Sequence, residues 1–175
     1  MKTIIKPKSE LAKEVAGAAA NVIRQSIDES GRCRLVLTGG GLGMEVLASL
    51  ASSAIDWPKV TVIFSDERFV GPKDADRNEC QALERLPHLK DADWLRYPDS
   101  SFDLVTSTEQ FNEEVASVFG AIDDGSPAFD LVLLGMGPDG HVASLFPGRL
   151  HSKNWIVSED SSPKPPSSRM SLSYE

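Results

Sequence analysis

Three segments concentrate the residues that can do chemistry: TGGGLG from Thr38, SDERFVG from Ser65, and GMGPDGHVAS from Gly135. Only three histidines occur in the chain, and His141, two residues after Asp139, stands in the last of these segments. An imidazole changes charge near neutral pH, so it can take a proton from water and return it. Asp139 can fix the tautomer of that ring or cap a following helix. The glycines around the histidine, Gly137 among them, leave backbone uncovered, which suits ligand approach better than core packing. A metal site would need more ligands than Asp139 and His141 supply. Gly39, Gly40, Gly41 and Gly43 precede a helical pattern, so backbone N–H groups and the positive end of a helix dipole can hold an anion there. Read alone, they serve equally well as a plain strand-to-helix turn, since they lack both the Gly-Lys-Ser/Thr of a P-loop and the G-x-G-x-x-G fingerprint. Arg68 tips the balance, because a guanidinium at a neighbouring strand end can bind a phosphate bidentately. Asp66 and Glu67 are adjacent and point to opposite sides of an extended chain. Asp66 is expected to orient Arg68, the loop backbone or a substrate hydroxyl, and Glu67 to be a surface carboxylate. No G-x-S-x-G elbow occurs and neither cysteine falls in these segments, which disfavours covalent catalysis. What remains is proton transfer or water activation on a phosphorylated small molecule.

The elements around these segments set where they lie. From Ser9 as N-cap, Leu11, Val15, Ala18, Ala19, Val22, Ile23 and Ile27 recur at helical spacing, and Gly31 closes the helix. RCRLVLT (Arg32 to Thr38) reads as a buried strand, followed by a helix with Met44, Leu47, Leu50, Ala51 and Ala54 on one face. KVTVIFS (Lys59 to Ser65) is a second strand, after which come a polar loop to about Asn78, a helix to about Leu86 and an irregular stretch with Trp94 and Tyr97. A capping box, Thr106-x-x-Glu109, opens another helix, with Phe111, Val115, Phe119 and Ile122 along one side. FDLVLL from Phe129 is a third strand and NWIVS a fourth. Strands alternating with helices imply a doubly wound, mainly parallel α/β sheet. All three chemical segments then meet at its carboxyl edge, where such sheets bind ligands.

Composition narrows the partners. The 175 residues, 41% hydrophobic, suit one soluble domain over residues 1–175. A formal charge of −8 without a run of lysines or arginines argues against nucleic acid and anionic lipid. Cys33 and Cys80 lack metal-ligand spacing and are expected to be reduced and structural. No secretory signal or membrane span is expected, which places the chain in the cytoplasm. His88 and His151 are expected at the surface.

In this order, LTGGGLG, SDERFVGPKDADRNE, FDLVLLGMGPDGHVASLFPG and SPKPPSSRMSL resemble the 6-phosphogluconolactonases, hydrolases of the pentose phosphate pathway. The resemblance runs from about Arg34 to Leu172 and is most specific in GMGPDGHVASLFPG. Glucosamine-6-phosphate deaminases and isomerases share a similar Gly-Asp-Gly-His core but usually carry Asn-Glu-Pro where this chain has Leu145-Phe146-Pro147.

The resemblance implies a NagB-like, Rossmann-related fold and hydrolysis of 6-phospho-D-glucono-1,5-lactone without metal or cofactor. It makes His141 the base that activates water and Asp139 its neighbour. Gly39, Gly40, Gly41, Asp66, Arg68, Gly137 and Arg169 become substrate or phosphate positions, with Lys164 as a further one. The family usually has a hydroxyl residue where Leu42 stands, so Thr38 or a backbone N–H is expected to replace that hydrogen bond. Relatives continue beyond the PKPP segment, so the chain is expected to lack C-terminal elements. That would leave a sheet edge and an apolar helix face uncovered, which predicts poor stability, aggregation or compensation by homo-oligomerisation. Two competing readings stand beside the lactonase: an amino-sugar-phosphate isomerase or deaminase, and a sugar-phosphate binding protein with little turnover.

Overall fold

The computed structural model describes residues 3–120, 128–149 and 152–173. Ile122 and His151, named above, lie outside these residues. Helix α1 (Lys8–Ser30) starts at Pro7 rather than at a Ser9 cap, and it ends at Gly31, whose φ of 78° lets its N–H reach the Ile27 carbonyl. Its buried stripe is Ala12, Ala16, Ala19, Ala20, Ile23 and Ile27, while Val22 faces outward. The stripe is therefore turned from the one expected, because small alanines let α1 lie close against α2 (Gly40–Leu50).

Strand β1 (Cys33–Leu37) is buried along its whole length and pairs in parallel with β2 (Val60–Phe64) and with β5 (Leu131–Val132). β4 (Asp93–Trp94) adds to the far side of β2, giving the parallel order β4-β2-β1-β5. A central strand buried on both faces must be apolar throughout. The exception, Arg34, meets Asp130 through its backbone N–H at 2.7 Å and through Nε at 3.4 Å. Helix α3 (Asn78–Arg85) packs on α2, and α4 (Leu104–Phe119) buries Phe111, Val115 and Phe119. Asp103, whose carboxylate accepts from Thr106 N at 2.9 Å, caps α4, so the helix opens before the expected capping box.

The main departure from expectation is a second, antiparallel sheet ordered β3-β7-β6, made by β3 (Asp66–Arg68), β6 (Ile156–Glu159) and β7 (Arg169–Leu172). Ser65 is where the chain passes between the sheets. Its N–H continues the parallel ladder to Leu37 O at 2.7 Å, and its carbonyl accepts from Leu172 N of β7 at 2.8 Å. The Asp-Glu-Arg run is thus a strand rather than a loop, and the Ser/Pro-rich segment before β7 is an ordered turn with a cis Pro165–Pro166 peptide. Among the described residues β5 is an edge of the parallel sheet, and Val132, Leu134 and Met136 beside it are exposed. No described helix is long and apolar enough to cross a membrane.

Candidate active site

Because β1, β2 and β5 run parallel, the segments after each emerge at one edge and enclose a cleft of about 240 Å³. One wall is the start of α2. Gly40 takes a φ of 79°, which only glycine adopts without strain, and the helix carries no side-chain cap, so its first N–H groups face the cleft. Gly39 and Gly41 line the same wall, as does Leu42, which brings no hydroxyl. Thr38 is also in the lining, and its Oγ1 accepts from Gly135 N at 3.3 Å.

The second sheet supplies the charge. Side chains alternate along β3, so Asp66 and Arg68 face the cleft and Glu67 turns away. Arg68 lies directly across from Arg169 of β7, which puts two cations on one face. Such a pair repels unless a negative group sits beside it. Asp66 is 3.9 Å from Arg169 Nη1, and its other commitment is to accept from Ser144 Oγ at 2.6 Å, tying β3 to the histidine loop. Burial, then the charge of Arg68, lowers the pKa of Arg169. Most of the Arg169 donors are used locally: Nε bonds Pro166 O at 3.0 Å, and Nη2 bonds Lys164 O at 3.1 Å and Pro165 O at 3.3 Å. Arg68 is freer. Its Nη1 donates to Asp76 O at 2.5 Å, while its buried Nε has no hydrogen-bond partner among the described residues.

The third wall carries the proposed base. His141 Nδ1 is 2.5 Å from Asp139 Oδ1, and Lys164 Nζ is 3.2 Å from both atoms. The hydrogen bond from His141, with help from Lys164, holds the Asp139 carboxyl down at about 2, so it is a carboxylate at neutral pH and His141 Nδ1 must donate to it. Nε2 is then the nitrogen left with a lone pair. A Cβ on Gly137 would overlap the His141 ring, so glycine is what lets the imidazole sit against the backbone there. The cleft therefore gathers Gly39, Gly40, Gly41, Asp66, Arg68, Gly137, His141 and Arg169. Asp139 and Lys164 stand behind His141 rather than in the lining.

Two residues escaped the sequence reading. Glu67, expected at the surface, is 2% exposed. Its carboxylate accepts from Arg68 N at 2.8 Å, Asn78 N at 2.7 Å and Glu79 N at 2.9 Å, and so caps α3, which has Arg77 where a capping residue belongs. Asn78 is fully buried, donates to Asp66 O at 2.8 Å and presses against Gly39, linking β3 to the glycine turn. Burial pushes Glu67 up to about 7, against the lowering effect of its backbone donors. Between the usual 4.5 and about 7 the folded chain keeps this proton and the unfolded chain has lost it, so stability falls as pH rises through that window. Urea unfolding of Glu67→Gln across the same range should show a flatter decline than the wild type, and an unchanged slope would refute the assignment. The cysteines take no part in the site: burial pushes the Cys33 thiol up to about 11.

Comparison with known proteins gives the family and the fold. Residues 6–175 match the family described as glucosamine-6-phosphate isomerases/6-phosphogluconolactonase. The 6-phosphogluconolactonase of Mycobacterium tuberculosis is 36% identical over 179 residues, covering 95% of this chain and 72% of that protein. The one from Streptomyces coelicolor is 35% identical, with 97% and 71% covered. Among solved structures, a 6-phosphogluconolactonase from Shewanella baltica superposes with a TM-score of 0.81 at 25% identity, covering 97% of this chain and 72% of that one. That of Thermotoga maritima gives 0.78 at 28% identity, with 94% and 73% covered.

Proposed function

The chain belongs to the glucosamine-6-phosphate isomerase/6-phosphogluconolactonase family, and from this premise we propose that it hydrolyses 6-phospho-D-glucono-1,5-lactone to 6-phosphogluconate in the pentose phosphate pathway. The observation that carries the reading is the His141–Asp139 contact of 2.5 Å, placed on the same cleft as the glycine turn and Arg68. The phosphate binds the α2 N-terminus and Arg68, with Arg169 Nη1 adding charge. That anchors the lactone ring toward His141. His141 Nε2 takes a proton from water as the water oxygen bonds to the lactone carbonyl carbon, and the carbonyl electron pair moves onto its oxygen. Lys164, behind the ring, balances the negative charge of Asp139. When the carbonyl reforms, the bond to the ring oxygen breaks, and that oxygen receives the proton back from the imidazolium. A lactone is an activated ester, so a positioned water and base suffice without a protein nucleophile.

The test is the hydrolysis rate of 6-phosphogluconolactone with the purified chain, corrected for spontaneous ring opening, beside glucosamine 6-phosphate as the alternative substrate. Catalysis of the first and not the second is the expected outcome. Binding of 6-phosphogluconate without turnover would replace this reading with that of a binding protein.

A further inference from the structure

The loop that carries His141 and the segment that carries Lys164 are pinned together outside the cleft. Arg149 ion-pairs with Glu159, donates from Nη1 to Ser161 Oγ at 3.2 Å, and donates from Nη2 to Ser161 O at 2.9 Å. Glu159 is a fixed anchor: it belongs to β6, is 6% exposed, and its Oε1 accepts from Ser161 N at 2.8 Å and Ser161 Oγ at 3.1 Å. The same guanidinium lies over the buried Phe146 ring, with Cζ 5.4 Å from its centroid. Phe146 in turn stacks against His141, centroids 5.0 Å apart and planes tilted by 33°.

We propose that Arg149, acting through Phe146, is a positioning residue that fixes the ring plane of His141. This rests on the reading of His141 as the base. The hydrogen bond from Nδ1 to Asp139 sets a distance and Gly137 backs the Nδ1–Cε1 edge of the ring, but a tilt of the ring plane about that edge still carries Nε2 off the line of attack. Contact with a ring face removes that freedom, provided the ring itself is held. Phe146 is held by the cation on its π-face, and the planar fork of arginine suits both that stacking and the two Ser161 oxygens. Arg149 is the exposed half of the pair and Glu159 the buried half, so losing the arginine costs some stability; a fall in turnover of the fully folded variant, together with moved His141 signals, is the mark of positioning.

Two variants test this. Arg149→Met keeps the apolar contact and removes the cation and donors, and Arg149→Lys keeps the cation. For the first, kcat is expected to fall about tenfold or more, while KM for the lactone and Kd for 6-phosphogluconate stay within about twofold. Lysine should restore part of the loss. In NMR spectra, the imidazole signals of His141 should move and broaden in the methionine variant while those of exposed His88 stay put. That readout needs no turnover, so it decides the role of Arg149 even if the wild-type chain proves inactive on the lactone. If the methionine variant fails to fold, Ser161→Ala, which removes one acceptor of Arg149, should give a smaller change in the same direction. Unchanged kcat together with an unchanged His141 spectrum in a folded variant would overturn the proposal.

Discussion

Replacing His141 with alanine is expected to lower kcat for the lactone by about 10²- to 10⁴-fold, the range general base catalysis supplies. Binding of 6-phosphogluconate should survive, because the α2 N-terminus and Arg68 lie on other walls of the cleft. One ring nitrogen is free to act. Asp139 stays ionised down to about pH 2 and takes up Nδ1–H, so the ring presents its only lone pair at Nε2. Alanine removes that lone pair and leaves Asp139 facing Lys164 alone, an exposed pair of little energetic weight, so the fold should hold. Steady-state kinetics above the spontaneous rate, with calorimetric titration of 6-phosphogluconate, would check both halves. Turnover within a few-fold of wild type would remove His141 from the mechanism.

How much of this was readable depends on how local the cause is. β1 could be read because a strand buried on both faces leaves an apolar, β-branched run. The same logic overstated β5: FDLVLL reads as a long strand, yet the strand is Leu131–Val132, with flanking bonds from Asp130 N and Leu133 N to β1; among the described residues β5 has one neighbour, and Val132 and Leu134 face outward. The second sheet was missed because its strands, Asp66-Glu67-Arg68 and Arg169-Met170-Ser171-Leu172, are short and largely polar, and their pairing spans about a hundred residues. Glu67 looked exposed for a related reason. Its three donors belong to its own neighbour and to the start of α3, and only that helix's lack of a capping residue hinted that a carboxylate was needed from elsewhere. The site residues were easier: glycines, a lone histidine and an arginine after strands mark a carboxyl edge whatever the second sheet does. What the sequence could not convey is how the donors are shared, with Arg169 tied mostly to the turn before it and Lys164 drawn to Asp139.

That division of donors makes Arg68 the better target for the phosphate. Arg68→Met is expected to raise KM for the lactone and Kd for 6-phosphogluconate by about 10- to 150-fold, the equivalent of losing about 1.5–3 kcal/mol of charge-assisted hydrogen bonding, with a smaller change in kcat. Among the described residues Nε of Arg68 is buried without a partner, which is costly unless an anion accepts from it, and one of its guanidinium nitrogens bonds protein, at Asp76 O. Stability should not suffer in proportion, because methionine also removes the repulsion from Arg169 directly across the ladder. Arg169→Met makes the contrast: it strips three backbone carbonyls of a donor and should lower the unfolding temperature as well as affinity. Arg68→Lys would retain charge but lose the fork, and should fall between wild type and methionine. Affinity unaltered in Arg68→Met, with thermal unfolding unchanged, would shift the phosphate to the α2 N-terminus and Arg169 alone. A collapse of stability in Arg68→Met alone would instead make Arg68 a structural residue and the cross-strand repulsion argument wrong.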